Sequence, residues 1–320
     1  MFLRGVNQTM EHLLSVIIPA YNEEGMIETT AKTIADILNK ENIHYEIIFV
    51  NDGSNDDTWQ KINEAKACNN CIKGLCFSKN FGKEAAMLAG MNYSTGDCCV
   101  IIDCDLQHPP ALIVQMYRLW EEGYEIIEAV KENRGKETLL HSIAAKGFYY
   151  VISRVTGIDL SKASDFKLLD RKAVNILINM REKNTFFRAL SSWIGFKTTQ
   201  IKFSVQERTV GKSKWSTMEL IKYAISSVSS FSAAPMMFVA LLGVVMLFGS
   251  AVLGCMTLYD KLIGKALEGF TTVIMIQLFI GSIVMISLGI IGYYISKIYE
   301  EVKDRPQYIV SKTCGGIDIK

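Results

Sequence analysis

The hydrophobic and polar positions fall into two regimes along the 320 residues. Up to about residue 130, short apolar runs alternate with stretches of helical period. Leu14 to Ala20 is one such run, broken by Asn22-Glu23-Glu24, after which Ile34, Ile37 and Leu38 recur at helical spacing. Tyr45 to Val50 is the next, closed by Asn51-Asp52-Gly53-Ser54, with Ser54 or Asp56 placed to cap the helix beyond it. Gly74 to Phe77 reads as a third strand, Lys83 to Tyr93 as a helix, and Cys98 to Ile102 as a fourth strand ending at Asp103. Strands of this length alternating with helices predict an α/β domain on a largely parallel sheet. Ligands in such sheets gather beyond the carboxyl ends of the strands. Glu23, Asp52, Asp103 and Asp105 all fall at those ends.

The later regime is apolar. Met236 to Tyr259 and Val273 to Ile295 carry no charge over about 24 and about 23 residues. At 1.5 Å per residue each reaches across a hydrocarbon core of roughly 30 Å, so two membrane spans are expected. Lys261 and Lys265 lie in the short segment between them, while Lys214, Lys222, Lys297, Lys303 and Arg305 lie on the outer flanks. That bias places both flanks, and the N-terminal domain with them, in the cytoplasm. From Trp215 to Phe231, Met218, Ile221, Ile225 and Val228 form a helical stripe; Leu140, Ile143, Phe148, Val151 and Val155 form another. Both suit a seat at the lipid interface, with packing against the soluble domain as the competing reading of the first. The expected organisation is an extension (1–12), a catalytic domain (13–214, with an interfacial helix near 139–155) and an interfacial helix (215–232). Spans at 235–259 and 273–295, joined by a loop at 260–272, then lead to a tail at 296–320.

Composition adds exclusions more than assignments. Thirty-four Lys and Arg against 33 Asp and Glu leave a formal charge of +1, which gives no global case for nucleic acid. Leu13 to Ala20 is too short for a secretory signal. Eight cysteines without a regular framework fit a reducing compartment. Cys68 and Cys71 have the spacing of a zinc-site pair, but no matched second pair follows, so they and Cys76 read as ordinary loop or partly buried thiols. No GxGxxG or GxxxxGK[ST] motif is present, against a dinucleotide or P-loop site.

The chemistry centres on Asp103-Cys104-Asp105, directly behind an apolar strand. Two acids leaving a strand can converge on one hard cation, which in turn can neutralise a diphosphate leaving group. The bland alternative is a surface turn. Around this pair stand SVIIPAYNEE (15–24), EIIFVNDGSNDDT (46–58), KNFGKEAAMLAG (79–90), VIIDCDLQHPP (100–110), ASDFKLLDR (163–171) and RTVGKSKW (208–215). In these stretches the chain resembles the family 2 inverting glycosyltransferases. More narrowly it resembles the polyprenyl-phosphate group that includes dolichyl-phosphate mannose synthases and bactoprenyl-phosphate glucosyltransferases. YYISKIYEEVKDRPQYIV (293–310) extends the resemblance towards the carboxyl terminus.

The resemblance implies a GT-A-like nucleotide-diphospho-sugar-binding domain with interfacial helices and two C-terminal transmembrane helices. It implies a multi-pass protein of the cytoplasmic membrane, with its catalytic domain facing the cytoplasm and compatible with a homo-oligomer. Asp52 would contact the nucleobase, with Pro19, Tyr21 and Glu23 in the same pocket. Asp103 would lie near the ribose and metal, Asp105 would be the principal ligand of Mg²⁺ or Mn²⁺, and Gln107 would line the donor site. Asp165 would orient the acceptor or the sugar; Arg208 and Lys214 would meet donor phosphates on a closing loop. His108 stands where the family commonly has an acid, and Lys167 where it usually has Arg, which keeps the charge but not the two-pronged hydrogen bonding. The QxxRW motif of processive synthases is absent, against polymer synthesis.

The implied reaction transfers one sugar, with UDP-glucose first and UDP-GlcNAc, another UDP-sugar or GDP-mannose behind it, to a polyprenyl phosphate in the bilayer. Lys131 and Arg134 are candidate acceptor-phosphate contacts or solvated surface charge. Lys212, in Gly-Lys-Ser-Lys, is a phosphate contact or a membrane-surface charge. Lys83 reads as a solvated first-turn lysine or a donor-phosphate contact, and Glu84 as support for a helix start. A hydroxyl acceptor needing a base, or a non-enzymatic membrane scaffold, are the rivals.

Overall fold

Every apolar run of the first regime is a strand in the computed structural model, which describes residues 12–131, 164–180, 187–203, 234–263 and 269–318. β1 (Leu13–Ala20), β2 (His44–Asn51), β3 (Ile72–Phe77) and β4 (Cys98–Ile101) run parallel in the order β4-β1-β2-β3. Between them in sequence lie α1 (Ile27–Lys40), α2 (Thr58–Cys68) and α3 (Lys83–Tyr93). β1 and β2 are buried almost throughout, which is why they read as near-continuous apolar runs rather than alternating ones. α1 turns Ile27, Ala31, Ile34 and Leu38 inward, the spacing of one helical face. Gly90 of α3 lies so near β1 that a Cβ there would stand 2.3 Å from Ile17 Cγ2, so any side chain would push the helix off the sheet.

The sheet continues beyond β4. α4 (Leu112–Glu121) is followed by β5 (Ile126–Lys131), β6 (Lys167–Asp170), α5 (Arg171–Asn179), α6 (Phe187–Trp193) and β7 (Thr198–Phe203). Asp170 caps α5 by accepting from Lys172 N at 2.8 Å, and its other oxygen accepts from Trp120 Nε1 at 2.8 Å. A strand near the carboxyl terminus, β8 (Val310–Cys314), completes the order β7-β5-β6-β4-β1-β2-β3-β8. β8 lies antiparallel on β3, fastened by a Tyr308–Phe77 ring stack at 5.3 Å and by Asn92 Nδ2 donating to Tyr308 Oη at 2.8 Å. This strand falls in the stretch read from sequence as a tail.

At the amino end of the sheet a polar cluster gathers around a buried carboxylate. Glu46, 3% exposed, accepts from Ser15 Oγ at 2.6 Å and from Thr95 N at 2.6 Å, and pairs with Lys73 at 2.6 Å. Burial pushes its carboxyl up, but Lys73, Ser15 and Thr95 together outweigh that and hold it below its ordinary value.

The described residues fall into two compact units, one of 12–131, 164–180, 187–203 and 305–318, the other of 234–263 and 269–304. The second holds α7 (Ala234–Leu262) and α8 (Phe270–Val302). Among the described residues one helical stretch, Phe279–Tyr299 of α8, is long and apolar enough to cross a membrane. Its side chains are exposed, Phe279 by 60% and Met285 by 70%, unlike those of a core helix. In α7 the apolar stretch found among the described residues is Leu241–Leu253.

The expected fold class, a GT-A-like α/β domain with two C-terminal transmembrane helices, is corrected accordingly. The sheet is mixed rather than largely parallel, with three of its seven pairings antiparallel, and among the described residues one helical stretch is long and apolar enough to cross a membrane. The multi-pass placement, with the catalytic domain assigned to the cytoplasmic face, falls with the second span. The stripes near 139–155 and at 215–232 lie outside the described residues.

Candidate active site

The loops after β1 and β2 are stitched to each other at the carboxyl edge of the sheet. Asn22, at φ 54°, donates its N–H to Ser54 Oγ at 2.9 Å and accepts from Asn55 N at 2.9 Å. Glu23 N donates to Thr58 Oγ1 at 2.9 Å; the N-cap of α2 is Asp57, which makes no side-chain cap bond, rather than Ser54 or Asp56, although Asp56 Oδ1 accepts from Thr58 N at 3.1 Å. Pro19 is half-buried, Tyr21 exposed and Glu23 half-buried around this loop pair.

Asp52 is buried beneath it and turned towards α3. Its two carboxylate oxygens accept from Phe81 N at 2.7 Å and Gly82 N at 2.9 Å. Burial pushes its carboxyl up, with those two N–H groups partly compensating. The loops approach so closely that a Cβ on Gly53, at φ 64°, would meet the Lys79 carbonyl carbon at 2.3 Å. Asp52 therefore fixes the two residues that immediately precede Lys83.

From Lys83 a chain of alternating charges runs across the site. Lys83 Nζ lies 2.5 Å from Asp103 Oδ1 and 3.0 Å from Asp165 Oδ2. Arg188 grips Asp165 from the other side, Nε to Oδ1 at 2.7 Å and Nη2 to Oδ2 at 2.9 Å, a two-pronged pair. Burial pushes the Asp165 carboxyl up, but Lys83 and Arg188 outweigh it and hold it well below the usual carboxylate range. Burial likewise opposes the Lys83 charge, and Asp103 and Asp165 overcome it, so the ammonium holds its proton more tightly than an ordinary lysine. Glu84, next in α3, accepts from Phe187 N at 3.1 Å; burial and then the Asp165 charge push its carboxyl up to about 7.

The acid pair itself sits on a turn held from below. The Cys104 carbonyl accepts from the buried Thr30 hydroxyl at 2.7 Å, and Asp105 Oδ1 accepts from Gln107 N at 3.1 Å across Leu106, a non-glycine at φ 54°. His108 is buried against Phe166 and Phe203, ring centroids 5.2 and 5.5 Å away, with Nδ1 3.8 Å from Asp103 Oδ2. Lys167 is fully buried, paired with Glu128 Oε1 at 2.6 Å and donating to Ser191 Oγ at 2.6 Å. Burial lowers its affinity for the proton, with Glu128 opposing.

Asp103 and Asp105 offer the hard carboxylate oxygens that suit Mg²⁺ or Mn²⁺. Among the described residues no three His, Cys, Asp or Glu side chains gather to hold an ion alone. Such an ion would complete its shell with phosphate oxygens and water, as Mg²⁺ ordinarily does, so the donor set fits. Asp103 and Asp165 come together through Lys83, while Asp52 reaches them only through the loop it holds. Lys131 is the last residue of β5; Arg134, Arg208, Lys212 and Lys214 lie outside the described residues. Arg188 was missed from sequence, where nothing local distinguishes it: its partner lies 23 residues away.

The profile of glycosyl transferase family 2 matches residues 15–177. An uncharacterized glycosyltransferase of Bacillus subtilis, YkcC, is 38% identical over 94% of this chain and 94% of its own. A prophage bactoprenol glucosyl transferase homolog of Escherichia coli is 32% identical over 93% of this chain and 98% of its own. Among solved structures, mannosyl-3-phosphoglycerate synthase from Rubrobacter xylanophilus aligns at a TM-score of 0.48 and 15% identity, over 68% of this chain and 72% of its own. At that level the structural likeness carries no argument.

Proposed function

Because the chain belongs to glycosyl transferase family 2, we propose that it moves one sugar from a nucleotide-diphosphate sugar to a polyprenyl phosphate, inverting the anomeric carbon. The observation that carries this reading is the end-to-end likeness to bactoprenol glucosyl transferases, which covers 95% of this chain and 99% of the Shigella phage SfII protein at 31% identity. On that ground UDP-glucose is the first donor to test, ahead of UDP-GlcNAc, another UDP-sugar and GDP-mannose. Undecaprenyl phosphate is the first acceptor.

An oxygen of the lipid phosphate forms a bond to the anomeric carbon as the bond from that carbon to the diphosphate breaks. The electron pair leaves with the nucleoside diphosphate. A phosphate monoester, with a second pKa near 6, is largely ionised at neutral pH, so no proton has to be taken from it. Asp165 suits this chemistry: held well below the usual carboxylate range by Lys83 and Arg188 against the effect of burial, it is a poor proton acceptor. Its part is orientation. A hydroxyl acceptor would need the base that Asp165 is not, which disfavours that rival.

Pro19, Tyr21, Glu23 and Asp52 are assigned to the nucleobase side and Gln107 to the donor site. Arg208 and Lys214 are assigned to donor phosphates, and Lys131, Arg134 and Lys212 to the acceptor phosphate. Asp103 and Asp105 would hold Mg²⁺ or Mn²⁺, which neutralises charge on a departing diphosphate. Residues 13–214 are assigned as the catalytic domain, and α8 as the element that meets the bilayer in which a polyprenyl acceptor resides.

The test incubates the purified full-length protein with undecaprenyl phosphate, Mg²⁺ or Mn²⁺, and separate labelled UDP-glucose, UDP-GlcNAc and GDP-mannose. Mass spectrometry should find a glycosyl-phosphoryl-undecaprenol, first from UDP-glucose. Asp105→Asn should lower turnover by about 100-fold or more, with the thermal melt unchanged. Near-normal turnover in that variant would remove Asp105 from its assigned role, and no transfer or nucleotide binding from any donor would favour the scaffold.

A further inference from the structure

We propose that Lys83 is a positioning residue whose ammonium occupies the cation position beside Asp103 until a nucleotide diphosphate arrives, so that metal binding depends on donor binding. This rests on the reading of Asp103 and Asp105 as the metal-holding pair. Lys83 Nζ is 2.5 Å from Asp103 and 3.0 Å from Asp165, so one ammonium serves two carboxylates. It cannot drift away with its backbone. The two residues before it are held through Phe81 N and Gly82 N by the buried Asp52 carboxylate, and the residue after it holds Phe187 N. Asp165 has a second cation in Arg188 and does not need Lys83 for neutrality; Asp103 has His108 Nδ1 only at 3.8 Å.

The charge balance follows. In the nucleotide-free site, an ion approaching Asp103 and Asp105 meets one carboxylate already neutralised by a fixed positive charge at contact distance. A diphosphate changes this by giving Lys83 a new anionic partner. The ammonium would turn from Asp103 to phosphate oxygens, leaving Asp103 free to hold the ion together with Asp105. With a side chain 41% accessible, Lys83 has the freedom to make that turn.

The experiment is a Mn²⁺ titration of the full-length protein, followed by the electron paramagnetic resonance signal of free Mn²⁺, with and without UDP. In the wild type UDP should tighten Mn²⁺ strongly. In Lys83→Met, Mn²⁺ affinity without UDP should rise about tenfold and the gain from UDP should shrink. Lys83→Gln should match it, guarding against a packing artefact, and Lys83→Arg should keep the wild-type dependence. Unchanged or weaker Mn²⁺ binding by Lys83→Met and Lys83→Gln without UDP overturns the proposal while leaving the metal site standing. If Asp105→Asn binds Mn²⁺ with UDP as the wild type does, the metal site itself is lost, and the role of Lys83 with it.

Discussion

At the amino end of the sheet Glu46 is 3% exposed, and its partners Ser15, Thr95 and Lys73 all belong to the fold. At the carboxyl end Asp103 has a side chain 29% exposed and touches Lys83 at 2.5 Å, and Lys83 is itself 41% exposed. Each site sets a carboxylate against a lysine, yet one is closed and the other open. In the closed pair the carboxylate is buried and takes its partners from the fold itself, so the pair can only be kept or broken. The open pair can exchange partners with something arriving from solvent. A buried ion pair is weak evidence for function; a half-exposed one, at the edge where α/β sheets bind ligands, is better.

Breaking each end separately sharpens the contrast. Asp105→Asn should cost about 100-fold or more in turnover with the melting temperature unmoved, the largest functional effect. Glu46→Ala should do the reverse. It strands the Ser15 hydroxyl and Thr95 N–H and removes the partner of Lys73, a loss of about 3 kcal/mol in stability. Donor affinity of the folded fraction should be unchanged. Thermal melts paired with UDP titrations check both, and a Glu46→Ala protein of normal stability would erase the distinction between the two ends. Arg188→Lys comes next. It keeps the charge on Asp165 but gives up the two-pronged grip, so turnover should fall about tenfold with little change in the melt.

The same contrast explains what could be read in advance. β1 to β4 and the helices between them are legible because apolar runs and helical periods are local signals, and their carboxyl ends marked Asp52, Asp103 and Asp105. Partners are not local. Nothing near Lys83 indicates that it bridges Asp103 and Asp165, the latter 82 residues away, and Arg188 carries no signal at all. That the Asp52 oxygens accept from the Phe81 and Gly82 N–H groups was equally hidden, those partners lying 29 and 30 residues on. β8 was hidden because VSKTC is short and polar and pairs with a strand some 235 residues earlier. The two expected spans rested on uncharged length; among the described residues one stretch, Phe279–Tyr299, is long and apolar enough to cross a membrane.

Glu84 gives the smallest and subtlest test, since it lies between the two kinds of site. Its carboxylate is committed to Phe187 N, as a structural acid would be, yet it shares the field of Asp165. Burial first and Asp165 second push its carboxyl from the ordinary 4.5 up to about 7. The native state thus holds this proton more tightly than the unfolded chain does. The stability it contributes is fully present below about pH 4.5 and is lost as pH rises through about 7. Glu84→Gln keeps an oxygen to accept from Phe187 N but has no proton to lose. Relative to the wild type it should gain about 1–3 kcal/mol between pH 5 and pH 8.5, read as a melting-temperature difference that grows across neutrality. A difference constant over that range would mean that Glu84 titrates like a solvated acid, placing it with the open end of the site.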